Sequence, residues 1–151
     1  AEATRQPLRV ILDTALRTPP TAKTLRLPGP VLIFTASADP AKRAALRAAG
    51  ADIASVPSAE GGLRLHAIMA ELARRECNEL HVESGPTLAG ALLQAGLVDE
   101  LVIYLAPLLL GDRARGLFRL PALTRMQDRW ELDTVETRAV GRDWRLTLRP
   151  R

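Results

Sequence analysis

The sequence has 151 residues, of which 47% are hydrophobic and 25% are charged, with a formal net charge of +4. This length and composition favour one globular domain with its own core and exclude a disordered chain. Aromatic residues make up only 3%, and no Cys/His finger spacing occurs, so we expect no nucleic-acid partner. The single cysteine, Cys77, excludes an intramolecular disulfide. No apolar run reaches the ~18 residues of a membrane span, and no signal peptide is recognisable, so we expect a cytoplasmic protein without a membrane partner.

The first half of the chain alternates strands and helices. Residues 1–7 are interpreted as a linker or a truncated end. Residues 8–12 predict a buried strand that ends at Asp13 and Thr14, and residues 31–35, apolar almost throughout, predict a second strand. Asp39 is expected to cap a helix with Pro40 at its first position. The predicted packing face of this helix consists of small side chains: Ala41, Ala44, Ala45 and Ala48.

The second half continues the alternation and then changes to paired strands. Residues 53–56 predict a third strand, 65–72 a helix, 80–83 a fourth strand, 86–95 a helix and 101–106 a fifth strand. Residues 130–135 and 144–149 alternate as in an antiparallel hairpin. The predicted fold is α/β, a three-layer sandwich with a mixed, mostly parallel sheet, helices on both faces and a C-terminal antiparallel hairpin.

The stretch around residues 80–91 carries the candidate chemistry. In open α/β sheets, ligands bind at the carboxyl ends of strands, and Glu83 follows the predicted fourth strand directly. Gly85 would allow close approach to the backbone, and Pro86 would begin a helix. The N–H groups of the next residues would be free to face a diphosphate: Thr87, Leu88 and Ala89. The alternative, in which Gly85 and Pro86 form only a capping turn and Glu83 is a surface carboxylate, is equally compatible with the residues.

Other site types find little support in the sequence. The dinucleotide fingerprint G-x-G-x-x-G and the P-loop lysine are absent. His66 has no second ligand four residues further on, so no metal site is predicted. Cys77 is interpreted as a small buried apolar residue and not as a nucleophile.

Several segments together resemble a known family. They are Gln-Pro-Leu-Arg-Val-Ile-Leu-Asp-Thr at 6–14, Val-Glu-Ser-Gly-Pro-Thr-Leu at 82–88, Ala-Gly-Leu-Val-Asp-Glu-Leu at 95–101, Tyr-Leu-Ala-Pro at 104–107, Leu-Leu-Gly at 109–111 and Ala-Arg-Gly-Leu at 114–117. In this register the chain is similar to the reductase domain of the bacterial bifunctional riboflavin-biosynthesis deaminase/reductase, whose fold resembles dihydrofolate reductase. Residues 8–151 would then be the C-terminal two-thirds of a reductase domain.

The resemblance implies an oxidoreductase that uses NADPH to reduce 5-amino-6-(5-phosphoribosylamino)uracil to its ribityl form by direct hydride transfer to ribose C1′. By motif position, Glu83 would contact the substrate. The cofactor would lie against Thr14 and the helix start: Gly85, Pro86, Thr87, Leu88, Ala89, Gly90 and Ala91. No residue is assigned as proton donor. Arg17, Lys23 and Arg43 are basic and lie near strand ends or a helix start, but they do not decide between NADPH and NADH.

Two departures from the family pattern raise further expectations. Leu108 stands where family members commonly carry lysine, and the N-terminal third of the domain and the deaminase domain are not matched. We therefore expect the 151 residues alone to be inactive or weakly active. The alternatives are a fold-retaining non-catalytic fragment or interaction module, or a reductase of another pterin- or pyrimidine-like substrate. The apolar residues 105–110 and an open sheet edge predict a homodimer.

Overall fold

The computed structural model describes residues 6–59 and 62–151, so most of the predicted linker at 1–7 lies outside the described residues. The chain alternates strands and helices in its first half and ends in three paired strands. The helices and strands are, in order, β1 (Arg9–Leu12), α1 (Lys23–Arg26), β2 (Val31–Thr35), α2 (Pro40–Ala48), β3 (Ala51–Ser55), β4 (Ser58–Ala59), β5 (Gly62–Leu63), α3 (Leu65–Arg74), α4 (Pro86–Gln94), β6 (Leu101–Leu105), a 3₁₀ turn (Met126–Asp128), β7 (Leu132–Val140) and β8 (Asp143–Pro150).

The first three long strands form a parallel sheet in the order β1-β2-β3. Ile33 pairs with Ile11 on one side and with Ile53 on the other. All five residues of β2 are buried, as expected for the centre of a parallel sheet that is covered on both faces. The predicted first and second strands are confirmed, and the third begins two residues earlier than expected.

Helices cover both faces of this sheet, which confirms the predicted layering. On one face, Val31, Ile33 and Ile53 pack with Leu25 of α1 and Leu46 of α2. The opposite face has its own apolar cluster around α3: Leu32, Phe34, Val56, Leu63, Ile68 and Leu72, with Cys77 packed against it. Because neighbouring residues of β2 point to opposite faces, its apolar run anchors both layers.

The predicted packing face of α2 is wrong. Its only buried residue is Leu46, whereas the four alanines predicted to pack on the sheet are exposed: Ala41, Ala44, Ala45 and Ala48. A buried leucine removes far more apolar surface from water than an alanine does, and it sets the orientation of the helix. The predicted cap is confirmed, since the Lys42 N–H donates to Asp39 Oδ1 over 3.1 Å.

The predicted fourth strand, residues 80–83, is also wrong, because the segment belongs to no sheet in the described chain. Leu80 and Val82 remain 42% and 44% exposed. Their side chains suit a strand, but a strand exists only where a neighbour satisfies its backbone N–H and C=O groups. No described residue provides that ladder.

The C-terminal strands form a second, antiparallel sheet in the order β6-β8-β7, which confirms the predicted hairpin. Tyr104 pairs with Arg145, and Val140 pairs with Asp143 across the two-residue turn. Gly141 at that turn has φ +62°, a left-handed conformation that glycine adopts without strain. The α/β class with a C-terminal hairpin is thus confirmed, although its strands lie in separate sheets.

The chain divides into two compact units, one up to Glu79 and the other Leu80–Arg151. The single domain predicted for residues 8–151 stays a prediction. Within the described residues, no helix combines the length and the apolar character needed to cross a membrane.

Candidate functional site

A buried carboxylate closes the loop at the carboxyl end of β1. Asp13 is 7% exposed, and its oxygens accept hydrogen bonds from the Arg17 N–H (2.9 Å), the Thr18 N–H (2.7 Å) and the Thr18 hydroxyl (2.6 Å). Burial raises the pKa of the Asp13 carboxyl, but the bonds from Thr18 and Arg17 outweigh it, and the pKa lies below its ordinary value. The loop is therefore held by an ionised carboxylate.

Removing the charge of Asp13 is expected to make the free energy of unfolding less dependent on pH under acidic conditions. A lowered pKa in the folded state means that the stabilisation is complete above the unfolded pKa and is lost as the pH falls through the folded pKa. We expect Asp13→Asn to lower the free energy of unfolding by about 1–3 kcal/mol at pH 7. Below about pH 4, the free energy of unfolding should then fall less in this variant than in the wild type.

Urea unfolding between pH 7 and pH 2.5 measures this difference. Asp112→Asn, at an exposed position, is the matched control and should retain the wild-type profile. Parallel profiles for Asp13→Asn and the wild type would contradict the ionised state of Asp13.

Thr14 follows Asp13 and presents its side chain to solvent. Its carbonyl accepts two hydrogen bonds, one from the Thr35 hydroxyl at the end of β2 (3.1 Å) and one from the N–H of the next residue, Ala36 (3.3 Å). Thr35 is completely buried. The hydroxyl of Thr14 is thus exposed at the end of a parallel strand on a backbone that is fixed, which suits the cofactor contact that the family resemblance implies for it.

A cleft of about 370 Å³ lies next to this loop, between residues 16–20 and the first half of α2. Arg17 and Lys42 are the two cations in its lining. The Lys42 ammonium donates to the Ala15 carbonyl over 3.2 Å. The Arg43 guanidinium is engaged with the Ser37 carbonyl and the Ser55 hydroxyl, which makes it less available than Arg17 or Lys42 for a ligand.

The start of α4 provides the second candidate element. Gly85 is its N-cap, with extended backbone (φ −77°, ψ 171°) and no side-chain cap. Among the described residues, the N–H groups of Thr87 and Leu88 have no backbone acceptor. The Ala89 N–H, predicted to be free as well, donates to the Gly85 carbonyl over 3.1 Å. The helix bond from residue i to i−4 therefore begins one residue earlier than expected, and two donors remain for an anion.

Glu83 lies just before this helix with its side chain 88% exposed, and its Oε1 is 3.5 Å from His81 Nε2. The carboxylate is therefore free to accept hydrogen bonds from a ligand. Thr14 belongs to the first compact unit, whereas Glu83 and residues 85–91 belong to the second. The structure thus describes the two halves of the predicted site separately.

Gly90 allows another segment of the chain to pack closely against α4. It is buried, and a Cβ built on it would lie 2.1 Å from the Arg119 carbonyl oxygen. The Arg119 N–H in turn donates to the Pro86 carbonyl over 2.9 Å. This side of α4 is therefore filled by the chain itself, and of the predicted cofactor residues Gly85, Thr87 and Leu88 offer the more accessible groups.

The described residues contain no cluster of three or more His, Cys, Asp or Glu side chains that could hold a metal ion. What the described chain offers are exposed polar groups at the end of a parallel strand and an open helix N-terminus. These features define an α/β protein with candidate ligand-binding loops.

Residues 1–146 match the family described as the RibD C-terminal domain, and the chain belongs to that family. It is 40% identical over 144 residues to the riboflavin biosynthesis protein RibD of Escherichia coli, covering 92% of this chain and 37% of that protein. It is 30% identical over 138 residues to the 2,5-diamino-6-ribosylamino-4(3H)-pyrimidinone 5′-phosphate reductase of Methanothermobacter thermautotrophicus, covering 91% and 63%.

Solved structures agree with this assignment. The chain superposes on RibD of Acinetobacter baumannii with a TM-score of 0.84 at 31% identity, covering 97% of this chain and 38% of that one. The chain thus spans less than two thirds of each of these three proteins. The predicted family and the fold class it implied are confirmed.

Proposed function

We propose that the chain is the reductase part of an enzyme that uses NADPH to convert 5-amino-6-(5-phosphoribosylamino)uracil to 5-amino-6-(5-phosphoribitylamino)uracil. The observation that carries this proposal is the open start of α4, where extended Gly85 precedes the two unpaired N–H groups of Thr87 and Leu88. The family assignment and the reductase name of the archaeal relative support the same reaction class. A cytoplasmic location and an accompanying N-terminal deaminase domain belong to the same proposal.

The residues present suit a nicotinamide dinucleotide. A Cβ added at Gly85 would meet no atom within 4 Å, so a diphosphate has room to approach the backbone there. The two free N–H groups and the positive end of the helix dipole favour that diphosphate. The nicotinamide would supply a hydride to ribose C1′ of the substrate. The chain's own part is to bind and orient both molecules, with the exposed Glu83 accepting hydrogen bonds from the substrate.

The cleft beside residues 16–20 supports a preference for NADPH over NADH. Arg17 and Lys42 line the cleft, and cations of this kind bind a phosphate group. Arg43 is a weaker candidate, since its guanidinium already bonds Ser37 and Ser55. Lys23 does not line this cleft.

Binding and turnover measurements test the proposal. We expect NADPH to bind at least about tenfold more tightly than NADH, and Glu83→Gln to raise the KM for the pyrimidine about tenfold or more, with NADPH affinity unchanged, because a hydrogen bond to a charged group is lost. Fluorescence titration and steady-state kinetics measure both on protein that keeps any sequence flanking these residues in the gene, since the 151 residues alone are expected to be inactive or weakly active. Glu79→Gln, at an exposed position, is the control. Absence of NADPH binding at millimolar concentration would favour the alternative of a non-catalytic interaction module.

A second substrate is favoured by one observation, the 30% identity to the archaeal enzyme over 91% of this chain. That enzyme is named for a diamino-pyrimidinone, which differs from the uracil in its ring substituent. Turnover of the two substrates should be compared on the same preparation. A kcat/KM that is higher for the diamino compound would replace the uracil in this proposal and leave the cofactor role of α4 intact.

We also propose that the second unit contributes to a homodimer. Residues 105–110 are exposed and strongly apolar, and the side chains of Leu108, Leu109 and Leu110 are largely or fully accessible. In its sheet, β6 pairs only with β8 in the described chain, so its outer edge is open. Contiguous apolar surface of this kind is typical of protein interfaces, and Leu108 adds to it where the family commonly has lysine.

A charge in this surface is expected to dissociate the dimer. Leu109→Asp should shift the mass measured by light scattering from dimer to monomer at micromolar concentration, because an unpaired carboxylate would be buried at the interface. Ala70→Asp, exposed on α3, is the control and should stay dimeric. A monomeric wild type would contradict the dimer.

A further inference from the structure

Thr35 is the last residue of β2. The four residues before it are apolar and buried, and Thr35 itself is 0% exposed. A hydroxyl at such a position loses its contact with water and needs partners within the protein. A valine would fill the same volume without that requirement. The presence of threonine therefore calls for an explanation in terms of what its hydroxyl contacts.

The Thr35 hydroxyl joins the loops that follow the first two strands. It donates to the Thr14 carbonyl over 3.1 Å and accepts from the Ser37 N–H over 3.1 Å. The regular β1–β2 pairing ends at Leu12 and Phe34. The hydroxyl thus adds a hydrogen bond between the segments that follow β1 and β2, beyond the end of their regular pairing.

The same network continues into α2 and returns to the first loop. The Ser37 hydroxyl accepts from the Asp39 N–H over 3.3 Å, and Asp39 in turn caps the helix at Lys42. The Lys42 ammonium donates a hydrogen bond to the carbonyl of Ala15, the residue after Thr14, and so completes the ring. The side chain of Thr35 is therefore the buried link in a ring of hydrogen bonds that surrounds the exposed Thr14.

We propose that Thr35 is a positioning residue for cofactor binding, which acts by holding the backbone of Thr14 at the strand end through its hydroxyl. This inference rests on the proposed NADPH contact of Thr14. Thr35 does not touch the cofactor, because it is completely buried. We expect its effect on affinity to pass through Thr14, and this separates it from a residue that only stabilises the core.

Thr35→Val removes the hydroxyl and keeps the shape and the β-branched side chain, so the sheet should form. We expect NADPH to bind about three- to tenfold more weakly, as for the loss of one ordinary hydrogen bond. Thr35→Ser keeps the hydroxyl and should bind within about twofold of the wild type, although it loses a buried methyl group and some stability. Weaker NADPH binding in Thr35→Val than in Thr35→Ser, although Thr35→Ser also loses stability, would be the signature of positioning.

A double-mutant cycle with Thr14→Val tests whether Thr35 affects NADPH affinity through Thr14. If Thr35 acts through Thr14, Thr35→Val should add nothing to the weaker binding of Thr14→Val. Dissociation constants are measured by NADPH fluorescence, and unfolding by urea, with any sequence that flanks these residues in the gene retained. If Thr35→Val does not fold, Thr35→Cys takes its place, because a thiol is small but a weak hydrogen-bonding group.

Wild-type affinity in Thr35→Val, equal losses in the valine and serine variants, or multiplying losses in the double variant would each overturn the inference and leave the proposed function intact. If Thr14→Val binds NADPH as the wild type does, the cofactor contact of Thr14 is wrong and the inference falls with it. Failure of the wild type to bind NADPH would overturn the proposed function itself.

Discussion

Replacing Gly90 with alanine is expected to lower the free energy of unfolding by about 1–3 kcal/mol, as for overpacking elsewhere. The added Cβ would lie 2.1 Å from the Arg119 carbonyl oxygen and 2.9 Å from its carbonyl carbon. Both contacts are with backbone, which cannot rotate away as a side chain can. Alanine would gain up to about 1 kcal/mol of helix propensity over glycine, but this gain does not compensate for a shift of the Arg119 segment.

Urea unfolding followed by circular dichroism measures this loss, and Gly85→Ala is the matched control. Gly85 lies in the same part of the chain, has ordinary extended backbone, and has no atom within 4 Å of an added Cβ. The control should therefore unfold like the wild type. A Gly90→Ala variant as stable as Gly85→Ala would mean that Arg119 does not pack against α4 in solution.

Replacing Gly85 with aspartate is expected to weaken NADPH binding by tenfold or more without loss of stability. The new carboxylate would stand at the open start of α4, where we place the diphosphate. Two unit charges 4 Å apart repel by up to about 4 kcal/mol near a protein surface. In the free protein the same carboxylate can cap the helix and interact favourably with its dipole, so unfolding should occur at equal or slightly higher urea concentration.

Gly85→Asn separates charge from size in this experiment. Asparagine has nearly the same shape as aspartate and also caps helices well, but it carries no charge. We expect it to retain most of the NADPH affinity in fluorescence titrations. Equal losses in the two variants would indicate that bulk at position 85 matters, and unchanged binding in both would contradict the diphosphate site.

The elements that sequence predicted correctly are those with a local or strongly patterned cause. Asp39 and Pro40 define the start of α2 because a cap needs only residues within one turn. The apolar run of β2 predicted a central strand, since its burial on both faces leaves no alternation. Gly96, with φ +65°, ends the turn after α4 as a glycine typically does. Gly141 has the same left-handed backbone, but it lies in the hairpin turn between β7 and β8.

The candidate site was predicted in part. The open start of α4 follows from Gly85 and Pro86 alone, and two of the three expected free N–H groups are present. Ala89 is bonded to Gly85 because the carbonyl of an N-cap residue already accepts the first intrahelical hydrogen bond. The buried links Asp13 and Thr35 are visible in the sequence only as polar residues at strand ends, and the partners that give them a role are 2 to 21 positions away in the chain.

The sequence by itself determined the family, the parallel and antiparallel halves, and the helix start that offers N–H groups to a ligand, because motif spacing, alternation and capping are properties of neighbouring residues. Only the tertiary structure decided which face of α2 is buried, that residues 80–83 have no strand partner in the described chain, and that Gly90 makes room for Arg119. These outcomes depend on which distant segments arrive beside a residue. Side-chain packing and backbone pairing between residues so far apart in the sequence form only when the chain has folded.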